Sequence, residues 1–496
     1  MTKARSDLKI ALVNPRVESY SSTLPPLGLL YIAAVLERAG FAPRIFDIYP
    51  YDDRDFTALV EYCPDVVGMT ILTDYWARAL EVSTLVKDSL PQAVYIAGGV
   101  HITALPEASL VAHNAAIGVI GEGEITMLEL CERIANGTPW QDVAGIIFRD
   151  SAGDFVRTTP RPHIENLDEI PFPSRHLLNF EQYLVPPGII RGHWTERSTT
   201  VMTSRGCPFS CIWCGSQCTF GRKVRNRSIE NVVAEIEYLV STYAIDTIWF
   251  VDDTFTLNKK RVLDFCRQMT ERRIRITWGC QAHVKTADEE MFRAMKKVGL
   301  VQLDFGVESG SNRVLKSLKK DSSDDAIRRA FAITRKVGLR TTATFMFGSP
   351  GETAEDVEQT MQLAQEIRPD FVSSFFITPY PGTELMDLAE ANHWEMSKRE
   401  DRGLKKGPML RIHFKDHELM AIRERFQRLF LWRNFSGILL SPRYMAKALL
   451  LLLRNPGGVV SGARAFARSK VFDDFIFAFL IYFVRQKMEK LPRRKE

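Results

Sequence analysis

Cys207-Pro208-Phe209-Ser210-Cys211-Ile212-Trp213-Cys214 sets three cysteines at C-x3-C-x2-C spacing, directly after a β-branched run, Thr199-Thr200-Val201-Met202-Thr203, that reads as a strand. Three thiolates on one short loop can hold three irons of a [4Fe–4S] cube and leave the fourth without a protein ligand. A fully ligated cluster serves electron transfer, whereas an open iron can bind a substrate. A structural zinc site is the alternative, with Cys218 as a fourth ligand, although zinc normally takes its four ligands in paired C-x2–4-C blocks.

Downstream of that loop, strand and helix patterns alternate. The periodicity predicts helices over 229–243, 258–273, 287–298, 323–337 and 353–367, interleaved with strands over 247–251, 276–281, 301–307, 341–347 and 371–377. With the strand before the cysteines this makes roughly three quarters of a (β/α)8 barrel. Polar residues and glycines gather where these strands end, as they do in barrel enzymes. Asp252-Asp253 lies one strand from the cysteine loop, where a carboxylate can meet the ammonium of a cluster-bound amino acid. Glu308-Ser309-Gly310 offers a carboxylate and a hydroxyl suited to ribose hydroxyls, and Phe347 followed by Gly348-Ser349-Pro350-Gly351-Glu352 suits an adenine edge. Each cluster also fits a plainer role as a helix cap or tight turn. Trp278, Gln281 and His283 end the third strand and are weaker candidates to face a substrate, and Cys266 and Cys280 read as buried thiols.

Taken in series, these residues resemble the core of the radical S-adenosylmethionine (SAM) superfamily. The resemblance implies that Cys207, Cys211 and Cys214 hold the cluster and that SAM chelates its open iron through its amino and carboxylate groups. The reduced cluster would cleave SAM into methionine and a 5′-deoxyadenosyl radical. By the same resemblance Asp252 and Asp253 meet the ammonium, Glu308 and Ser309 the ribose, and Gly348 and Pro350 the adenine end. Trp213 would pack near the adenine or the cluster, and an electron donor such as flavodoxin or ferredoxin is implied.

Ahead of the barrel, residues 1–145 show short apolar runs at 8–13, 44–48, 66–72, 94–97 and 117–120 with helical stretches between them. That alternation means a Rossmann-like, doubly wound parallel sheet, whose ligands sit beyond the carboxyl ends of the strands. The loops there are rich in glycine, which allows close approach of a bulky ligand. No G-x-G-x-x-G follows the first strand, so a nicotinamide cofactor is disfavoured. Pro25-Pro26-Leu27-Gly28, Ala97-Gly98-Gly99-Val100-His101 and Val119-Ile120-Gly121-Glu122-Gly123-Glu124 resemble the cobalamin-binding domain that precedes the barrel in one large class of radical SAM enzymes. The resemblance implies that Thr70, Gly98, Gly99 and Gly121 line the slot for the nucleotide tail. The D-x-H-x-x-G motif of many cobalamin domains is absent, so no protein histidine is expected beneath the cobalt.

Residues 146–198 read as a proline-punctuated linker opening with a hairpin, 199–385 as the radical SAM core, and 386–496 as a helical, basic and apolar region. At 496 residues two or three domains are expected. The N-terminus lacks the apolar core of a signal peptide, and eight cysteines with three in one loop fit a reducing cytoplasm better than a disulfide framework. Residues 421–496 hold 16 Lys/Arg against 5 Asp/Glu, which leaves about −6 on the other 420. Basic residues alternating with Leu, Phe and Ile suit peripheral contact with the inner face of a membrane rather than nucleic acid. The residues and their resemblance together point to a cobalamin-dependent methyltransferase acting on an unactivated carbon of a lipid-like small molecule, with no catalytic residue assigned beyond the cluster ligands. The alternatives are a ring-forming enzyme of the anaerobic tetrapyrrole cyclase type and a non-catalytic iron–sulfur or cobalamin sensor.

Overall fold

The apolar run after Lys9 forms β1 (Ile10–Pro15), buried along its whole length, as a strand covered on both faces must be. The computed structural model describes residues 3–17, 24–50, 52–184, 190–191, 193–397, 407–439, 442–469, 478–479 and 482. β1 joins β2 (Arg44–Ile48), β3 (Val66–Thr70), β4 (Val94–Gly98), β5 (Ile117–Val119), β6 (Ile146–Arg149) and β7 (Phe155–Arg157) in a sheet of order β2-β1-β3-β4-β5-β6-β7. The first five strands are parallel and the last two antiparallel. Helices α1 (Leu27–Arg38), α2 (Arg54–Tyr62), α3 (Trp76–Ser89), α4 (Val100–Ala104), α5 (Pro106–His113) and α6 (Glu124–Asn136) make the connections. Ile10 and Leu12 pack on one face with Leu29, Met127 and Leu130, while Ala11 and Val13 pack on the other with Val82 and Val86. The strand order reverses between β1 and β3, the switch point where such sheets take ligands.

The hairpin expected to open the linker at residue 146 belongs to this sheet instead. β6 pairs with β5, and its buried Ile146, Ile147 and Phe148 cover an edge that would otherwise stand open. The first sheet therefore extends to Arg157.

The second sheet is built from β8 (Ser198–Val201), β11 (Thr247–Phe250), β12 (Thr277–Ala282), β13 (Leu300–Glu308), β14 (Arg340–Phe347) and β15 (Phe371–Phe376), all parallel and in sequence order. A two-residue ladder of β9 (Ser204–Arg205) and β10 (Arg225–Asn226) lies between β8 and β11 in the chain. Helices α7 (Ser216–Phe220), α8 (Ile229–Tyr243), α9 (Lys259–Glu271), α10 (Glu289–Lys297), α11 (Asn312–Ser317), α12 (Asp324–Val337), α13 (Ala354–Ile367) and α14 (Glu384–Ala391) follow. The starts of the barrel helices are written in the sequence. Ser228, Asn258, Asp288, Ser323 and Thr353 each accept a backbone N–H of the first turn, a cap worth about 1 kcal/mol. Leu303, Phe305 and Val307 of β13 face the helices, so Gln302, Asp304, Gly306 and Glu308 line the inner face.

The sixth barrel helix comes from beyond the boundary expected at residue 385. It is α15 (Asp416–Leu439), which lies on β15 and β14. Leu419, Phe426 and Phe430 form its buried stripe, with Phe426 against Phe345 and Phe347 at ring distances of 5.0 and 5.2 Å. Then come α16 (Pro442–Arg454) and α17 (Pro456–Ser469). Most of the helical region expected beyond residue 469 lies outside the described residues. Among the described residues no helix is long and apolar enough to cross a membrane.

The connector is pinned to both units. Arg175, fully buried, donates to Glu235 of α8 at 2.8 Å and to the Thr200 carbonyl of β8 at 2.9 Å, while Tyr183 donates to Asp47 of β2 at 2.5 Å.

Candidate active site

The loops at the carboxyl ends of β1, β3, β4 and β5 enclose a cavity of about 380 Å³. Thr70, Gly98, Gly99 and Gly121, the four residues expected to share one slot, all line it. Gly99 has φ +103°, and a Cβ there would stand 2.8 Å from the Ile71 carbonyl oxygen, so only glycine fits. At Gly98 and Gly121 an added Cβ would meet nothing closer than 3.7 Å, which marks them as border to open space. Met202, Arg205, Thr219 and Phe220 close the far side from the barrel domain. No histidine is among the described lining residues. His101 is buried beside Thr73 (3.0 Å) and Trp76, and His113 beside Ser83 (2.7 Å), where burial lowers it to about 4.

Cys207, Cys211 and Cys214 sit half-buried at the carboxyl end of the barrel as free thiols. Burial pushes all three up, Cys211 to about 11, and Cys211 also feels Cys214, Glu308 and Cys207 as neighbouring negative charge, with Lys320 opposing them. Among the described residues no three metal-ligating side chains converge as a site for one ion. Cys218 is turned elsewhere: its thiol donates to the Gly382 carbonyl at 2.8 Å. That removes the fourth ligand on which the zinc alternative depended.

The expected SAM contacts divide into two groups. Asp253 faces the cysteines: it accepts from Ser216 Oγ at 2.5 Å, burial raises it, and its charge is felt at Cys207 and Cys214. Asp252 does not reach the site. It is 1% exposed, and its carboxylate accepts from the Thr203 amide (2.6 Å), the Thr203 hydroxyl and Ser204 Oγ (2.6 Å), tying β11 to the turn after β8. Glu308 stands at the site with φ +68°, a strained value for a residue with a side chain, 3.5 Å from Lys320. Burial raises its carboxyl, with Lys320 pulling the other way. Ser309, by contrast, is fully buried against Thr360 Oγ1 (3.1 Å) and holds the Ser311 amide, so it is a loop brace.

Gly348 (φ +86°) turns the chain, and the Gly348 and Ser349 amides donate to the Glu352 carboxylate at 2.6 and 3.2 Å. Those N–H groups, part of the stretch expected to meet an adenine edge, are already taken, and burial lifts Glu352 to about 7. The Pro350 carbonyl accepts from Ser317 Oγ at 3.3 Å. Trp278 is core, Gln281 is exposed on the inner face, and His283 stacks on Phe209 of the cysteine loop at 3.9 Å and 14°. Burial and then Lys320 lower His283 to about 3, which keeps it neutral.

Two features escape sequence reasoning. Lys320, 9% exposed at its side chain, sits within electrostatic reach of all three cysteines and 5.8 Å from the Trp213 ring. In Lys319-Lys320-Asp321 nothing separates it from a surface charge. The other is a buried ion cluster: Arg205 donates to Glu122 (2.6 Å) and Glu124 (2.5 Å), and Arg225 to Glu122 (2.7 Å). Burial alone would raise Glu122, but the bonds from Arg225 and Arg205 outweigh it and hold the carboxyl low. The Gly-Glu-Gly-Glu repeat was its visible signal.

Residues 201–364 match the radical SAM superfamily and residues 13–131 the B12 binding domain. The chain is 34% identical over 432 residues to an uncharacterized methyltransferase of Pyrococcus horikoshii, covering 84% of this chain and 90% of that one. It is 29% identical to the anaerobic magnesium-protoporphyrin IX monomethyl ester cyclase of Rubrivivax gelatinosus, covering 76% and 69%. A solved structure of the radical S-adenosylmethionine methyltransferase TsrM from Kitasatospora setae, with cobalamin and a [4Fe-4S] cluster bound, shares the fold at TM-score 0.66 and 19% identity over 79% of each chain. The fold and cysteine loop are those of a radical SAM enzyme. Its B12 binding domain lies ahead of the barrel, and the chain belongs to the cobalamin-binding branch of that superfamily.

Proposed function

We propose that the chain binds a [4Fe–4S] cluster, SAM and cobalamin and transfers a methyl group to an unactivated carbon of a hydrophobic small molecule. The observation that carries this reading is the placement of the two sites. The cavity over the first sheet and the cysteine loop of the barrel share a border, so ligands of both can face one substrate. The residues fit the groups. Three thiols on one loop, beside a cation that favours their ionised form, suit iron. Glycine backbones around an open slot, Gly99 above all, suit a bulky ligand with a long tail.

When bound, these groups supply a carbon radical from cleaved SAM and a methyl group carried on cobalt. The chain's own work is orientation and exclusion of water. Cys207, Cys211 and Cys214 would hold the cluster, Asp253 would accept from the ammonium of SAM and Glu308 from its ribose hydroxyls, and Lys320 would offer a cation to its carboxylate. Thr70, Gly98, Gly99 and Gly121 would border the nucleotide tail. An electron donor such as flavodoxin or ferredoxin would supply the electron that the cluster chemistry needs.

A lipid-like substrate met at the inner face of a membrane is supported by the surface of α16 and α17. Leu449, Leu450, Leu453, Val460 and Phe466 are exposed there, and no acidic residue occurs between Glu424 and Asp473. Such a mixture suits anionic headgroups. The second reading is oxidative ring formation, favoured by the similarity to the Rubrivivax cyclase.

Anaerobically reconstituted protein is given reductant, methyl-labelled SAM and lipid or pigment extract from a deletion strain. The reading expects 5′-deoxyadenosine and a labelled product heavier by one methylene. Product without label selects the cyclase reading, and absence of 5′-deoxyadenosine refutes both.

A further inference from the structure

Arg205 and Arg225 are partners in the β9–β10 ladder. The chain between them, residues 206–224, is the loop that carries the three cysteines. Its base is tight: a Cβ at Gly206 (φ +94°) would stand 2.4 Å from the Lys223 carbonyl oxygen. At most about 7 Å of chain separates Arg205 from Cys207. Both guanidiniums converge on Glu122, and the second arm of Arg205 takes Glu124. These carboxylates flank Gly123 in the turn between β5 and α6 that borders the cavity. Glu122 further accepts the Ile164 amide of the connector at 2.8 Å. All four side chains are at most 6% exposed.

A buried ion network is a weak source of stability, because desolvation offsets much of the Coulomb gain. It does restrict geometry, since a forked guanidinium meets a carboxylate in few arrangements. Here the forks join the base of one site to the rim of the other.

We infer that the Arg205–Glu122–Glu124–Arg225 cluster is a clamp that sets the separation between the cysteine loop and the cavity, with Arg205 as a positioning residue for transfer between them. The inference rests on the functional reading above. Transfer chemistry is sensitive to such spacing, and a misplacement of about 1 Å costs about 100-fold in rate.

The test uses the full chain reconstituted with iron, sulfide and cobalamin, as wild type, Arg205→Lys and Glu124→Gln. Lysine keeps the charge and loses the fork, while Glu124→Gln leaves the Arg205–Glu122 pair in place. Pulsed EPR reads the dipolar distance between the one-electron-reduced cluster and paramagnetic Co(II) cobalamin. Wild type is expected to give one narrow distance. Arg205→Lys is expected to hold wild-type iron and cobalamin stoichiometry with a broadened or displaced distance, and Glu124→Gln to show a smaller change of the same kind. A narrow wild-type distance in both variants overturns the inference, as does loss of both cofactors from both variants, which would make the cluster a folding element. Wild-type protein that shows neither signal overturns the functional reading, and the clamp with it.

Discussion

Asp252 and Asp253 are adjacent, identical in chemistry and opposite in consequence. Asp252→Ala removes an acceptor that serves one amide and two hydroxyls at a site only 1% exposed. Hydrogen bonds to a charged group are worth about 1.5–3 kcal/mol each, and a stranded buried amide adds its own desolvation cost. The hydroxyls can rotate to other partners, so the net loss is about 4 kcal/mol. For a domain of this size that is a fall of about 10 °C in Tm. Asp253→Ala gives up one bond, to Ser216, at a half-buried position where burial already disfavours the ionised carboxyl. Its cost to stability is about 1 kcal/mol or less. It removes the carboxylate proposed above to meet the ammonium of SAM, however, and is expected to weaken SAM binding about 10- to 100-fold. Thermal unfolding followed by circular dichroism, together with equilibrium binding of SAM to reconstituted protein, separates the two. Asp252→Ala melting with wild type, or Asp253→Ala binding SAM as tightly as wild type, would refute this division of labour.

Cys218→Ser is expected to leave iron content and the cluster spectrum unchanged, since its sulfur is committed to Gly382, whereas Cys211→Ala abolishes the spectrum; iron and sulfide analysis decides. Gly98→Leu directs a side chain into the cavity from a position with room for its Cβ, and overpacking of about 1–3 kcal/mol reduces cobalamin affinity about 10- to 100-fold with unchanged circular dichroism. Acid stability should depend on Asp356. Burial would raise its carboxyl, but Ser311, Thr353 and Arg313 outweigh that and hold it at about 2. Because the folded value lies below the unfolded one, its contribution of about 2 kcal/mol is complete above about pH 4 and lost as pH falls toward 2; Asp356→Asn should flatten the urea midpoint over that window.

The barrel was legible because its signals are local. Capping residues open five of its helices, and the strands between them are apolar runs whose alternate residues share a face. The cavity glycines were legible for the same reason, since carboxyl ends of parallel strands converge whatever the remainder of the chain does. The sixth helix was harder to assign. Its apolar stripe at Leu419, Phe426 and Phe430 is plain, but the chain reaches it only after α14 and the segment that follows, and sequence does not say which surface a stripe will cover. The same holds for the hairpin at 146–157, whose partner strand was fixed by the open edge of β5.

By itself the sequence determined the parallel strands of both sheets, the cysteine loop at the end of the barrel's first strand and the glycine-rich loops of the slot, because spacing along the chain is enough to dictate each. Tertiary structure decided which polar residues remain available at the site. Asp252, Ser309 and the amides of Gly348 and Ser349 are satisfied by partners such as Thr203, Thr360 and Glu352, and Lys320 arrives among the cysteines. A buried polar group must be paired, and whether its partner is protein or ligand depends on contacts that only the folded chain creates.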